Sequence, residues 1–240
     1  MKKLISLLAF AVVILTAAAQ DNPNPSVYGD IPDYGEKYLS PDFVKLDKKA
    51  GLLVACRTGD ELLKINPETK AVESRIELGG HPSGIAVSPD GKFAYVTIAA
   101  PKGEILKISL EDSKIAERAP AGHMPRAVII SADGKTLYFA NQFENVVRAF
   151  DSKTLKEKAR GKAVRDPFAL ALSKDGSKVF AANQLPEPKG GLYEENIGAA
   201  VSVFDAKTLK TLAKIDLPNA CAAIPNGTGG KGHCPEKRHP

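Results

Sequence analysis

The feature that most constrains this 240-residue chain is a turn motif that returns at a nearly fixed interval. Ser-x-Asp-Gly occurs at 88–91, 131–134 and 173–176. Each copy follows an apolar run that opens on a proline. Those prolines are Pro82, Pro125 and Pro167, so the copies start 43 and 42 residues apart. Seven residues after each Ser stands an aromatic side chain, Tyr95, Tyr138 or Phe180. An Asp-Gly pair suits a tight hairpin, because Gly takes positive φ without a Cβ clash. A degenerate copy starts at Pro41, 41 residues before Pro82, and runs through Leu46-Asp47-Lys48-Lys49-Ala50-Gly51 to Val54.

The remainder of each unit repeats as well. A third apolar stretch (105–108, 146–150, 201–204) leads to a polar turn, as in Asp151-Ser152-Lys153-Thr154 and Asp205-Ala206-Lys207-Thr208. Asn66-Pro67-Glu68-Thr69 is the same turn in the first copy. A weaker fourth strand ends the unit, as at 76–78 or 212–217. Four short strands in roughly 42 residues is the signature of a β-propeller blade. An antiparallel sandwich that reused one turn would have no reason to keep three turns in register with a following aromatic. The sequence therefore predicts an all-β fold of about four four-stranded blades, at 41–81, 82–124, 125–166 and 167–220. One unit buries its faces only against its neighbours.

The segment before the repeats reads differently. Lys2 and Lys3 precede an apolar run over 4–19, interrupted by Ser6 and Thr16, and Ala17-Ala18-Ala19 gives small residues at a cut before Gln20. That is the layout of a secretory signal peptide over 1–19, followed by a lead-in over 20–40. The run is shorter than the ~20 residues of a spanning helix. No Cys follows it, and no later segment is long and apolar enough to span. A periplasmic or extracellular protein is the expectation. Losing the two lysines lowers the formal charge from +5 to +3. The charges are interspersed, so nucleic-acid binding is not signalled. With 43% hydrophobic and 25% charged residues, the balance is globular and not disordered.

The repeats resemble those of the YVTN-repeat, YncE-like β-propeller family. Tyr95-Val96-Thr97 matches the naming motif, with Ile98 where the family has Asn. Tyr138-Phe139-Ala140-Asn141 keeps both ends of it. The resemblance covers about 41–220. It implies a seven-bladed ring and an extracytoplasmic binding or scaffold role, with some relatives fused to cytochrome or peroxidase modules. A seven-bladed ring needs roughly 300 residues at this repeat length, so the chain is expected to form an incomplete ring. Three explanations stand: a truncated product, assembly with further blades or a second chain, or closure as four blades. The tail over 221–240 has no repeat match, which favours a frameshifted or truncated end, irregular or disordered.

Candidate functional residues are few. His81 precedes Pro82, His123 precedes Met124-Pro125, and Asp166 precedes Pro167. Repeat symmetry would bring all three near a central channel, where His, His and Asp could bind a ligand or a divalent metal. The plainer reading is an exposed polar residue in a turn. The fourth copy holds about 12 extra residues over 185–196, including Tyr193, and long loops on rigid scaffolds often bind; a tolerated insertion fits equally well.

Cys56, in the place of Thr97 in the gap-free alignment, reads as a buried structural thiol. Cys221 and Cys234 form the one close cysteine pair, and export would permit a disulfide, but three cysteines leave the connectivity open. His233, Cys234 and His239 suggest metal only by composition. No Cys-x-x-Cys-His for covalent haem, no Gly-x-Ser-x-Gly elbow and no phosphate loop occurs, so no cofactor is evident. Ser131 and His123 lack a third partner.

The leading expectation is an exported, non-enzymatic propeller that binds an unknown protein or small molecule. The first alternative is a lactonase-like hydrolase or lyase using a metal or a His/acid site at the channel mouth. The second is an accessory or sensor part of an extracytoplasmic redox system.

Overall fold

A computed structural model describes residues 39–185 and 199–217. The expected leader and lead-in, most of the 185–196 insertion with Tyr193, and the tail with Cys221, His233, Cys234 and His239 lie outside the described residues. Sixteen strands form four antiparallel sheets, each with its strands in chain order. Blade 1 holds β1 (Pro41–Asp47), β2 (Gly51–Cys56), β3 (Glu61–Ile65) and β4 (Val72–Glu77). Blade 2 holds β5 (Pro82–Val87), β6 (Phe93–Ile98), β7 (Gly103–Ser109) and β8 (Lys114–Gly122). Blade 3 holds β9 (Pro125–Ile130), β10 (Thr136–Asn141), β11 (Val146–Asp151) and β12 (Glu157–Lys162). Blade 4 holds β13 (Arg165–Leu172), β14 (Lys178–Leu185), β15 (Ala200–Asp205) and β16 (Thr211–Asp216). Among the described residues there is no helix. This is the propeller array that the repeat predicts.

The repeated turn explains itself chemically. Ser88 Oγ donates to Asp90 Oδ1 at 2.6 Å and accepts the Phe93 N–H at 2.9 Å. Asp90 Oδ1 also accepts the Lys92 N–H. Gly91 closes the turn at φ +74°, where a side chain would be strained. Ser131/Asp133 and Ser173/Asp175 repeat the same bonds. The aspartates recur because the turn needs them.

Blades stack by burying alternate faces. Tyr95 and Ile105 of blade 2 pack with Leu137, Phe139 and Phe150 of blade 3. Tyr138, Val147 and Ala149 of blade 3 pack with Val179, Ala181 and Phe204 of blade 4. Leu53, Leu62 and Leu78 of blade 1 pack with Val96, Leu106 and Ile108 of blade 2. Among the described residues no apolar cluster joins blade 4 to blade 1. The innermost strands of all four blades nevertheless face one cavity of about 280 Å³. Lys45, Ile85, Val87, Val128, Ile130 and Leu172 line it.

One reading of the first repeat needs correcting. Cys56 lies opposite Pro41, as Ile98 lies opposite Pro82, so it takes the place of Ile98 and not of Thr97. The reason is hairpin length. Leu46 pairs with Leu52, whereas Val87 pairs with Ala94, so the first hairpin is one residue shorter. A one-residue change of register turns every following side chain to the other face. The thiol is buried in a small cluster with Val54 and Leu63. Burial pushes its pKa up, which suits an inert thiol better than a nucleophile.

Candidate functional site at the blade starts

The polar candidates gather where each innermost strand begins, next to the turns between the second and third strands. The start of each strand is irregular. Asp42, Ser83 and Phe168 are extra residues in bulges that follow Pro41, Pro82 and Pro167. Blade 3 carries the irregularity slightly further on, with Ala127 at φ +54°. Bulges of this kind re-aim a side chain away from the ladder. Gly84 is required beside them: a Cβ there would lie 2.8 Å from the backbone nitrogens of Ala127 and Val128 in the next blade.

His81, His123 and Asp166 do not meet. His81 is exposed, and its Nδ1 lies 2.7 Å from Asp60 Oδ1 and 3.0 Å from the Arg57 carbonyl. Both neighbours only accept, so Nδ1 carries a proton. Asp166 is held from the equivalent turn two junctions further on, its N–H donating to Asn145 Oδ1 at 2.8 Å. Asp60 and Asn145 each follow their strand end by four residues, and both have positive φ, +53° and +55°. His123 stands one position earlier relative to its proline. Its backbone N–H donates to Glu144 Oε1, and its ring lies 5.5 Å from that of Phe143, tilted by 50°. Among the described residues no group of three or more His, Cys, Asp or Glu side chains could hold a metal ion.

Two features escaped the sequence reading. The first is a buried charge network in blade 3. Arg148 donates to Asn141 Oδ1 at 2.9 Å, Glu157 Oε2 at 2.8 Å and Glu144 Oε2 at 2.5 Å. Asn141 Nδ2 in turn donates to the carbonyls of Ala121 and His123. Burial alone would push the Glu144 carboxyl up, but the His123 N–H and the Arg148 guanidinium outweigh it and hold the pKa low. The sequence signal was an Arg in a strand whose counterparts are Leu106 and Ser202, with a Glu four residues before it.

The second is a cation–aromatic pair across the junction of blades 3 and 4. The Arg126 guanidinium lies 4.7 Å over the ring of Phe168, which is 42% exposed. Arg126 Nε and Asp166 Oδ1 are both buried without a hydrogen-bond partner. Phe143, 60% exposed, stands on the same end of the sheets, since its turn bonds Asp166 through Asn145. An exposed aromatic beside an incompletely bonded guanidinium can take a planar or apolar group together with an anionic one.

Comparison with known proteins bears first on the fold. The model of a family described as lactonase, 7-bladed beta-propeller, matches residues 55–157. Hydrazine synthase of Kuenenia stuttgartiensis is similar in structure, with a TM-score of 0.66 and 20% identity, over 79% of this chain and 53% of that one. A functionally unknown protein from Desulfotomaculum acetoxidans is similar with a TM-score of 0.58 and 18% identity, over 75% of this chain and 57% of that one. The chain thus spans about half the length of the solved structures it matches. No curated protein matches. These likenesses place the chain among β-propellers.

Proposed function

We propose that the chain is an exported β-propeller of the YVTN-repeat, YncE-like type that works by binding, through the blade-start end of blades 3 and 4. The observation that carries this reading is the Arg126–Phe168 pair, with an exposed aromatic ring and a guanidinium that the protein does not fully bond. The ligand class that fits is an organic anion with a planar or apolar body. A panel of small aromatic and aliphatic carboxylates and phosphates, read by thermal shift and then by calorimetry, tests it. At least one should raise the melting temperature of the wild-type protein. Arg126→Ala and Phe168→Ala should each remove that shift. A shift that survives both substitutions rejects this site. Export is tested by N-terminal sequencing of the protein recovered outside the cytoplasm, which should begin at Gln20.

The lactonase family match over 55–157 favours a second reading, hydrolysis of a lactone at the channel mouth. Lactone hydrolysis by the purified protein, with and without added divalent metal, separates the two. Turnover that falls on His81→Ala or Asp166→Ala would replace the binding reading. Metal analysis of the intact protein belongs with that assay.

A further inference from the structure

We infer that the ligand of the junction between blades 3 and 4 carries an ammonium beside its carboxylate, as an α-amino acid with an aromatic or apolar side chain does. The inference rests on the proposed binding reading and narrows its ligand from an organic anion to a zwitterion.

The unpaired polar atoms are not spread evenly over the molecule. Four side-chain nitrogen or oxygen atoms among the described residues are buried without a hydrogen-bond partner. Ser74 Oγ lies apart from the others, in β4. Arg126 Nε, Asp166 Oδ1 and Asn183 Oδ1 all belong to the junction of blades 3 and 4. Arg126 lies over the ring of Phe168. Pro167, between Asp166 and Phe168, pairs with Asn183 in the ladder. Buried polar groups are ordinarily paired. Here a cationic donor and two acceptors, one of them a carboxylate, stand unpaired around one exposed ring.

The fold does not need these side chains. Met124 takes the place of Asp166 before Pro125, with φ of +50° against +54°, so the same backbone forms without a carboxylate. Ser83 follows Pro82 as Arg126 follows Pro125, and its hydroxyl donates to the Pro125 carbonyl across the junction of blades 2 and 3. Arg126 Nε makes no such bond. Asn183 pairs with Pro167 as Asn141 pairs with Pro125. In blade 3 the Asn141 Oδ1 accepts from Arg148 Nε. Blade 4 has Ser202 in the place of Arg148, and Asn183 spends its Nδ2 on the Ala200 carbonyl and Ser202 Oγ. Its Oδ1 is left over. Arg126 and Asp166 are only half-buried as residues, so the rest of each group is open to solvent.

An α-amino acid complements this set. Its carboxylate accepts from the Arg126 guanidinium and its ammonium donates to Asp166, both in charge-assisted bonds. Asn183 Oδ1 offers the ammonium a further acceptor. The apolar or aromatic side chain lies against Phe168. A carboxylate without the ammonium leaves the acceptors unpaired and brings a second anion next to Asp166, which repels it.

Calorimetry on the full chain with L-phenylalanine, 3-phenylpropanoate and phenethylamine tests this. Phenylalanine should bind at least about tenfold more tightly than either of the others, the worth of one charge-assisted bond. Asp166→Met, which copies Met124, should abolish the advantage over 3-phenylpropanoate. Arg126→Ser, which copies Ser83, should abolish the advantage over phenethylamine. Without ligand, Asp166→Met should melt no lower than the wild type, because it removes an unpaired buried atom. Equal binding of phenylalanine and 3-phenylpropanoate, both lost in Arg126→Ser, overturns the inference and leaves the anion site standing. Phenylalanine binding that Asp166→Met leaves unchanged overturns it too. So does a marked fall in the melting temperature of that variant, which makes the carboxylate part of the fold. Binding of none of the three overturns the inference together with the binding reading.

Discussion

The hydroxyl of Tyr138 in blade 3 donates to the carbonyl of Ala206 in blade 4 at 2.9 Å, although the two residues are 68 apart in the chain. Tyr95 makes the same bond to Ser152 one junction earlier. Replacing either by Phe keeps the ring and strands a buried carbonyl. The expected cost is about 1 kcal/mol each, or roughly 2–4 °C in melting temperature for a domain of this size. Thermal denaturation of Tyr95→Phe, Tyr138→Phe and the double variant measures it.

The same burial raises the pKa of both tyrosines. A phenol held neutral in the fold binds its proton longer than the unfolded chain does. Stability is therefore intact below the unfolded value of about 10 and falls as pH rises above it. Ultraviolet titration should show two of the six tyrosines ionising late, followed by unfolding.

Arg148 is nearly sealed from solvent and bonds two carboxylates. Arg148→Ala should cost about 3–5 kcal/mol, since it leaves Glu144 without its cation and Glu157 with Arg160 alone. Arg148→Leu, which copies Leu106, combined with Glu144→Gln and Glu157→Gln should recover most of that loss. The sign of the pH effect follows from Glu144, whose pKa is held low. Its contribution is full above the unfolded value of about 4.3 and is lost as pH falls through the folded one. Urea unfolding between neutral and acid pH should show a steeper loss for the wild type than for the triple variant.

The turn carboxylates give a spectroscopic prediction. Ser173 Oγ, then the Ser177 N–H and hydroxyl, bond Asp175 and lower its pKa to about 2. Asp90 and Asp133 are lowered by the equivalent serines and backbone donors. Carbon-detected titration should resolve all three below the ordinary Asp range. Ser173→Ala should move Asp175 back up and leave Asp90 where it was.

Two glycines should respond unequally to Ala. Gly176 sits at φ +69° with nothing near the added methyl, so Gly176→Ala should cost only the backbone strain, about 1–2 kcal/mol. At Gly84 the methyl would press on the backbone of the next blade at 2.8 Å. Gly84→Ala should cost about 1–3 kcal/mol through overpacking alone and also disturb the neighbouring strand. Chemical denaturation of the two variants checks the ranking.

The blades were legible because their cause is local. A serine, an aspartate and a glycine close each hairpin by themselves, and their spacing survives in the chain. Register was legible only where that turn is intact. In the first copy Asp47-Lys48-Lys49-Ala50-Gly51 closes a shorter loop, and a gap-free alignment therefore assigned Cys56 to the wrong face. The site was harder to read because its geometry is not local. His81 and His123 differ by one position relative to their prolines, which sends their side chains to different neighbours. Arg126 and Phe168 belong to different repeats and meet only because two bulged strands start side by side. Nothing in the spacing of either repeat announces that contact.

The shorter first hairpin leaves the two sides of blade 1 where they are in the other blades. Leu62 pairs with Ala55 as Ile105 pairs with Thr97, so the lost residue is absorbed at the tip of the loop. A residue gained or lost at such a tip is therefore neutral to the stacking of the array. Only a residue gained or lost inside a strand would turn its side chains over.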